Sequence, residues 1–365
     1  MSIISLLIVF FLLARMGVLV YNFLTRPFLQ AASCAEDKLV SVLIPARNEE
    51  RNIENLLSDL MNQTFSNLEI LVYDDLSEDG TAALVEGFTL RDKRFRLILG
   101  INLPEGWLGK NHACHRLAVE ARGHYFLFID ADVRLHPNTI SSALSFIETH
   151  NLQALSIFPT QIMLSPGERA LVPLMLWVLL TLLPLRLVEK SRFSSLAAAN
   201  GQFFLHEAAQ YRKYRWHERY RMHRVEDVAT ARGLKKEGLR IATLLGNRLV
   251  SCRMYTGYTD ALQGFSKNFP FFFGNNKVLM DVFIVVSTFG WILPLVRYPW
   301  YFGLPLLVAL IMQRCLLARL TSVPCKQALL DAPAQQAALI HLVFHIAFAS
   351  SRGGLQWKGR MLNGT

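Results

Sequence analysis

The polar and apolar positions of this chain follow two regimes. In the first, short continuous apolar runs alternate with stretches that are apolar every third or fourth residue. LVSVLIP (39–45) has the length and continuity of a buried strand. RNEERNIENLLSDL after it places Ile53, Leu56, Leu57 and Leu60 on one helical face. LEILVYDD (68–75) predicts a second strand ending in two aspartates, a helix follows from about Gly80, and RLILG (96–100) predicts a third strand. Lys110 to Arg122 reads as a helix and HYFLFIDAD (124–132) as a fourth strand, with Pro137 suited to the first turn of the next helix. Strands alternating with helices imply an α/β fold with a parallel sheet and right-handed crossovers. In such sheets ligands bind beyond the carboxyl ends of the strands. Those ends carry Pro45 to Asn48, Asp74 and Asp75, and Asp130 and Asp132.

In the second regime the apolar positions run together. Residues 3–24, broken by Arg15 and closed by Arg26, have membrane-spanning length. They lack the basic start and small-residue cleavage site of a signal peptide, which predicts an uncleaved anchor over 1–26. Three more apolar segments, about 279–296, 299–318 and 334–350, crowd the region 278–350, and Arg297, Tyr298 and Pro299 leave a tight hairpin between the first two. A fifth, 170–188, carries Pro173 and Pro184 inside the polar part of the chain. Spanning there would split a globular domain at 38–275, so this helix reads as buried or interfacial. A basic tail, 351–365, closes the chain. The Lys/Arg-rich middle favours the cytosolic side, giving a multi-pass protein of the cell (inner) membrane with its globular domain cytoplasmic. Arg352, Lys358 and Arg360 favour the same side, which three full C-terminal crossings would forbid. One segment is therefore expected to be re-entrant, with 334–350 (His341, His345) the candidate.

Composition narrows the class further. Of 365 residues 52% are hydrophobic and 18% charged, which excludes a disordered chain. Five scattered cysteines (34, 114, 252, 315, 325) without a CxxC pair exclude a disulfide scaffold and read as reduced thiols facing the cytosol. Lys and Arg number 38 against 28 Asp and Glu, a formal charge of +10 that suits an anionic leaflet. The basic residues form no zinc finger, RNP motif or basic zipper, so a nucleic-acid partner is not expected.

Several chemistries are disfavoured by what the strand ends carry. PARNEE stands where a GxGxxG would follow the first strand, and Gly109-Lys110 lacks the rest of a P-loop. HEAAQ (206–210) lacks the second histidine of HExxH, no GxSxG exists, and His112, Cys114 and His115 sit on a helix rather than in a zinc pattern. Asp130-Ala131-Asp132 remains: two hard oxygen ligands at a strand end suit Mg²⁺ or Mn²⁺ holding a diphosphate, although helix-capping aspartates give the same pattern. Asp74-Asp75-x-Ser77-x-Asp79-Gly80-Thr81 offers acceptors for a base and hydroxyls for ribose or phosphate, against ordinary turn chemistry with Asp79 as a helix cap. Val225-Glu226-Asp227 opens a helix; the dipole favours acids there, and the sharper reading makes Asp227 a general base. YRKYRWHERYRMHR (211–224) reads as a solvated or membrane-surface helix, or as a gate contacting lipid headgroups near Asp227.

SVLIPARNEE, YDDLSEDGT, GWLGKNHACHRLA, DAD, ANGQFFL and VEDVATAR, in this order over roughly residues 39–275, resemble a family 2 glycosyltransferase. GWLGKN, RMYTGYTDALQGFSKN and RGGLQWKGR make the chain most similar to the membrane-bound carotenoid glycosyltransferases, with hopanoid and ceramide glucosyltransferases as near relatives. The resemblance implies a GT-A nucleotide-diphospho-sugar transferase domain with N- and C-terminal transmembrane helices. It implies a nucleotide pocket lined by Pro45, Ala46 and Glu49, Asp75 on uracil, and Lys110 near the nucleotide-sugar. Asp130 and Asp132 would bind metal and sugar-nucleotide, Asp132 as the direct ligand. Asp227 would be the catalytic base with Glu226 beside it. Where polymer synthases of this family carry QxxRW, Gln263 is kept but Ser266 and Lys267 replace Arg and Trp. Lys267 would still offer the diphosphate charge, as a point charge rather than a planar fork, and loss of the Trp platform favours a single transfer over a processive synthase.

The expected activity is therefore an inverting, non-processive transfer of a hexose, glucose being the first choice, from a UDP-sugar to a membrane lipid such as a carotenoid or other terpenoid. The expected cofactor is Mg²⁺ or Mn²⁺, and the expected partners are the donor, the lipid and the membrane. A non-catalytic membrane-anchored binding protein of the same fold is the competing class, and a transporter is disfavoured by the large polar middle.

Overall fold

The computed structural model describes residues 2–35, 37–351, 356–357 and 360–361, so most of the basic tail lies outside the described residues. The chain divides into two units. One is formed mainly by Pro27–Thr160 and Leu185–Arg253, the other by Met1–Arg26, Gln161–Pro184 and Met254–Leu355.

Ten strands occur in chain order up to Arg253: β1 (Val40–Ala46), β2 (Leu68–Asp74), β3 (Phe95–Leu99), β4 (Tyr125–Ile129), β5 (Val133–Leu135), β6 (Ala154–Phe158), β7 (Thr160–Gln161), β8 (Phe203–Glu207), β9 (Ile241–Leu245) and β10 (Val250–Cys252). Seven of them form one sheet of order β3-β2-β1-β4-β8-β6-β9. The continuous apolar runs of β1, β2 and β4 become buried strands because helices cover both faces of such a sheet. In-phase pairing from Val40 with Leu68 to Ala46 with Asp74 brings the loops after β1 and β2 out side by side.

The sheet is mixed, not wholly parallel as the alternation implied. β8 runs antiparallel to both β4 and β6, while β6 and β9 are parallel. FFL in β8 is too short a run to announce a strand; its neighbours, Phe204 opposite Phe128 and Leu205 opposite Leu127, are distant in sequence. The fourth strand also ends earlier than expected. Ile129 is its last residue, and Asp130 to Asp132 form a turn closed by the Val133 N–H on the Asp130 carbonyl at 3.2 Å. Pro137 stands before the following helix, Thr139–Thr149, rather than in its first turn. Asp79 stands two residues before the Thr81–Arg91 helix, one upstream of the cap position at Gly80, yet its carboxylate accepts from the Thr81 N–H at 3.0 Å and so serves as a cap.

The basic run 211–224 is not one solvated helix. It breaks into Ala208–Tyr214 and Trp216–Arg219 at Arg215, which takes a left-handed conformation (φ 45°). Trp216 is fully buried and stacks between Tyr214 and Tyr220, with centroids 4.9 and 6.2 Å away. Gly233 passes over this stack, and a Cβ there would lie 2.7 Å from the indole and 2.6 Å from the Tyr220 hydroxyl. The loop that follows is held by Asn111, whose amide donates to the carbonyls of Tyr220, Arg221 and His223 at 3.0–3.2 Å. The aromatic residues thus anchor a segment that leads straight into Glu226.

In the other unit, Ile3–Thr25 and Gly303–Leu320 are each long and apolar enough to cross a membrane. Tyr258–Phe273 and Lys277–Phe289 pass the same test only together, bent by 101°. The bend therefore lies outside 334–350, which belongs to the helix Cys325–Ser351. The 170–188 segment divides into Pro166–Leu171, Pro173–Leu182 and Arg186–Lys190. Its middle helix buries Leu174, Trp177 and Leu180, and Arg15 of the first helix donates to Thr181 at 2.8 Å and to Ser287 at 2.8 Å. Pro184 has no N–H for the Leu180 carbonyl four residues back; the Asn22 amide donates to that carbonyl at 2.9 Å instead.

Trp216→Ala should cost about 3–5 kcal/mol of stability, the range for emptying a buried aromatic site, read as a lower thermal midpoint of the purified protein. An unchanged midpoint would contradict the anchoring role.

Candidate active site

Backbone bonds lock the first two loops at the sheet rim. The Asp75 N–H donates to the Ala46 carbonyl at 2.8 Å, the Arg47 guanidinium donates to the Asp75 carbonyl, and the Glu49 N–H donates to Thr81 Oγ1 at 2.8 Å. Ala46 and Asp75 are both buried at this junction. Asp74 accepts from the Ser77 N–H, so part of this acidic cluster does serve the turn.

A recess beside these loops is lined by Pro45, Lys110, Asp130, Gly201, Glu226 and Asp227. Lys110, in the first turn of the helix Gly109–Glu120, reaches both oxygens of Asp130, at 2.7 and 2.9 Å, and lies 3.7 Å from Glu226 Oε1. Burial opposes its charge, but Asp130 and Glu226 outweigh that and hold the ammonium above its ordinary range. Asp227, in the first turn of Glu226–Lys236, accepts from the Gly201 N–H at 3.0 Å and from the Val228 N–H at 2.7 Å. Burial raises its pKa, and these two bonds oppose the rise. Glu226 is pushed up to about 7 by burial, with Lys110 opposing and Asp227 adding to the rise. Gly201 sits where these groups meet: a Cβ there would be 3.2 Å from Lys110 Nζ and 3.5 Å from Glu226 Oε1.

Asp132 lies on the same rim. Burial, then the negative charges of Asp130 and Glu49, push its carboxyl up to about 7. Its Oδ1 is buried without a hydrogen-bond partner. An orphaned carboxylate oxygen beside a second aspartate fits a divalent cation. Among the described residues no three His, Cys, Asp or Glu side chains enclose a cation site by themselves.

Five of the expected residues (Pro45, Lys110, Asp130, Glu226 and Asp227) therefore share the recess, with Asp132 and Glu49 in electrostatic contact at its edge. Gln263 and Lys267 lie on the helix Tyr258–Asn268 of the other unit. Sequence reasoning missed Asn200, Gly201 and Gln202, although ANGQ was in view as a motif, and it missed Cys252. The Gln202 amide donates to Cys252 Sγ at 2.9 Å, and burial followed by the Asp132 carboxyl keeps this thiol protonated. Two of the histidines, His112 and His206, pack among aromatic rings. His112 packs edge-on against Tyr73 and Trp107, and burial among Phe128, Phe204 and Tyr211 pushes His206 down to about 3.

A mixed sheet with acidic residues at its rim and a helix-borne carboxylate facing them is the GT-A arrangement of nucleotide-sugar transferases. The fold matches a mannosyltransferase from Pyrobaculum calidifontis solved with GDP-Man and Mn²⁺, at a TM-score of 0.53 and 17% identity over 95% of this chain and 99% of that one. Residues 41–215 match the Glycosyl transferase family 2 model, and they are a family 2 glycosyltransferase domain. Curated relatives include the 4,4'-diaponeurosporenoate glycosyltransferases of Staphylococcus haemolyticus (27% identical; 63% of this chain, 60% of that one) and of Staphylococcus aureus strain MRSA252 (28%; 69% and 66%). The match thus spans about 60% of the length of the first of these relatives.

The raised carboxyls fix the sign of a pH effect. Folded protein holds protons on Asp132 and Glu226 that the unfolded chain releases near pH 4, so stability falls as pH rises from there through about 7. The thermal midpoint of ligand-free protein should drop from pH 5 to pH 7.5, and less so in Asp132→Asn. Equal slopes in the two proteins would show that Asp132 titrates normally.

Proposed function

We propose that this protein transfers a hexose, glucose being the first choice, from a UDP-sugar to a membrane lipid of carotenoid or related terpenoid type, with inversion at the anomeric carbon. The observation that carries this reading is the meeting of Asp227 with the Lys110–Asp130 pair around Gly201, beside the open oxygen of Asp132. The names of the curated relatives support a carotenoid-type acceptor. The two apolar helices support a place at the membrane, where a water-soluble donor meets an insoluble acceptor. The cytosolic face of the inner membrane follows from the basic middle of the chain.

Asp132, with Asp130, would hold Mg²⁺ or Mn²⁺, which when bound neutralises charge on a diphosphate. Pro45, Ala46, Glu49 and Asp75 would form the nucleotide side of the pocket. Lys110 supplies a fixed positive charge for the departing diphosphate, where charge builds as the bond from the anomeric carbon to the phosphate oxygen breaks. Asp227 takes the proton of the acceptor hydroxyl as its oxygen attacks the opposite face of the sugar, and Glu226 beside it keeps Lys110 in place. One base and no covalent sugar–enzyme bond give inversion. A carboxylic-acid acceptor already ionised at pH 7 has no proton to lose, and Asp227 then orients it. Gln263 and Lys267 are proposed donor contacts.

Three results test this. Asp132→Ala should lose cation-dependent UDP binding in calorimetry, and undiminished binding would remove the cation assignment. Asp227→Asn should keep UDP binding while transfer to a hydroxyl acceptor falls by about 10²–10⁴. Lipid profiling of cells with and without the protein, fed labelled sugar, identifies the acceptor. A pigment shifting to a more polar labelled glycoside supports the terpenoid reading, whereas a labelled hopanoid or ceramide replaces it. No labelled lipid and no UDP-sugar turnover would leave only a binding protein of this fold.

A further inference from the structure

Asp132 is held from a direction that its own neighbours in sequence do not reveal. It immediately precedes β5, and β5 pairs antiparallel with β10 so that Val133 stands opposite Cys252. This register brings the fully buried Cys252 thiol against the Asp132 carboxyl. On its other side the thiol sulfur accepts from the Gln202 amide at 2.9 Å. Gln202 is itself fixed twice by Asn200, its N–H donating to Asn200 Oδ1 at 2.9 Å and its Oε1 accepting from Asn200 Nδ2 at 3.2 Å. The Asn200 N–H donates to Ser156 Oγ at 2.7 Å, in the middle of β6, where no water reaches. The chain of bonds runs from a rigid strand to the carboxyl of Asp132 and stops there, leaving Oδ1 without a partner.

We propose that Cys252, locked by Gln202, is a positioning residue for Asp132. Its S–H fixes the carboxyl from behind and leaves one oxygen facing the divalent cation of the sugar-nucleotide. The inference rests on the proposed function, because it requires Asp132 to bind that cation. A carboxyl with no such support would rotate and pair with other donors, and the ligand would no longer be pre-set. Losing a partner that orients a metal ligand weakens metal affinity by about 10–100-fold. The same ANGQ segment serves Asp227 through the Gly201 N–H, so one short stretch sets both carboxyls.

The test is Mn²⁺ affinity of the full-length protein with saturating UDP, read from the electron paramagnetic resonance signal of free Mn²⁺, with thermal midpoints measured in parallel. Cys252→Val should weaken Mn²⁺ binding about 10–100-fold. Cys252→Ser, which keeps a donor, should recover most of the loss. Gln202→Leu, which leaves the thiol in place but unheld, should weaken binding too, and it serves where Cys252→Val fails to fold. Wild-type affinity in Cys252→Val or Gln202→Leu, with affinity lost in Asp132→Ala, overturns this inference and leaves the proposed function standing. Equal weakening by Ser and Val overturns the donor role. Wild-type affinity in Asp132→Ala overturns the cation reading itself.

Discussion

The site depends on crowding acids where water is scarce. Asp130, Asp132, Glu226 and Asp227 converge on one rim of the sheet with Glu49 close by, and the Lys110 ammonium sits between Asp130 and Glu226. Burial raises the pKa of the Asp132, Glu226 and Asp227 carboxyls, and neighbouring negative charges add to the rise. The arrangement is tolerable because protons and Lys110 hold the balance in the free protein. On the proposed function, it becomes favourable when a divalent cation and the donor's diphosphate bind together, the cation offsetting the carboxylates.

Scaffold and site are joined through few contacts. ANGQ meets Asp227 by a backbone N–H and Asp132 by way of Cys252, while Asn111 ties the Lys110 helix to the loop preceding Glu226. Lys235, on the Asp227 helix, donates to the carbonyls of Ser191 and Leu196 just upstream of ANGQ. These bonds join elements far apart in the chain, so the carboxyls are placed by the completed sheet rather than by any local motif. In the unit that holds the two long apolar helices the same economy holds: Arg15 and Asn22, polar breaks in an apolar helix, bond to Thr181, Ser287 and the carbonyl freed by Pro184.

What the sequence disclosed is what local physics encodes. β1, β2 and β4 were readable because strands buried on both faces are continuous apolar runs, and the Ile53–Met61 helix because Ile53, Leu56, Leu57 and Leu60 repeat at its period. The start of the Glu226–Lys236 helix was readable because acids such as Glu226 and Asp227 favour a helix N-terminus. β8 was not, since its reversed direction is decided by β4 and β6 across some fifty to eighty positions of chain. Nor was Cys252, whose meeting with Asp132 exists only through the β5–β10 register. The basic run 211–224 misled because its charges are conspicuous in sequence, whereas the burial of Trp216 and Tyr211 decides its shape.

The most direct measurement is the number of protons released when Mn²⁺ and UDP bind, obtained by calorimetry at pH 6.5 in buffers of different ionisation enthalpy. Asp132 carries much of its proton at that pH and must give it up to the cation, so a substantial fraction of one proton should be released, and the release should vanish in Asp132→Asn. Binding with no proton release, or with release unchanged in that variant, would contradict a buried, protonated Asp132 that gives way to the donor's cation.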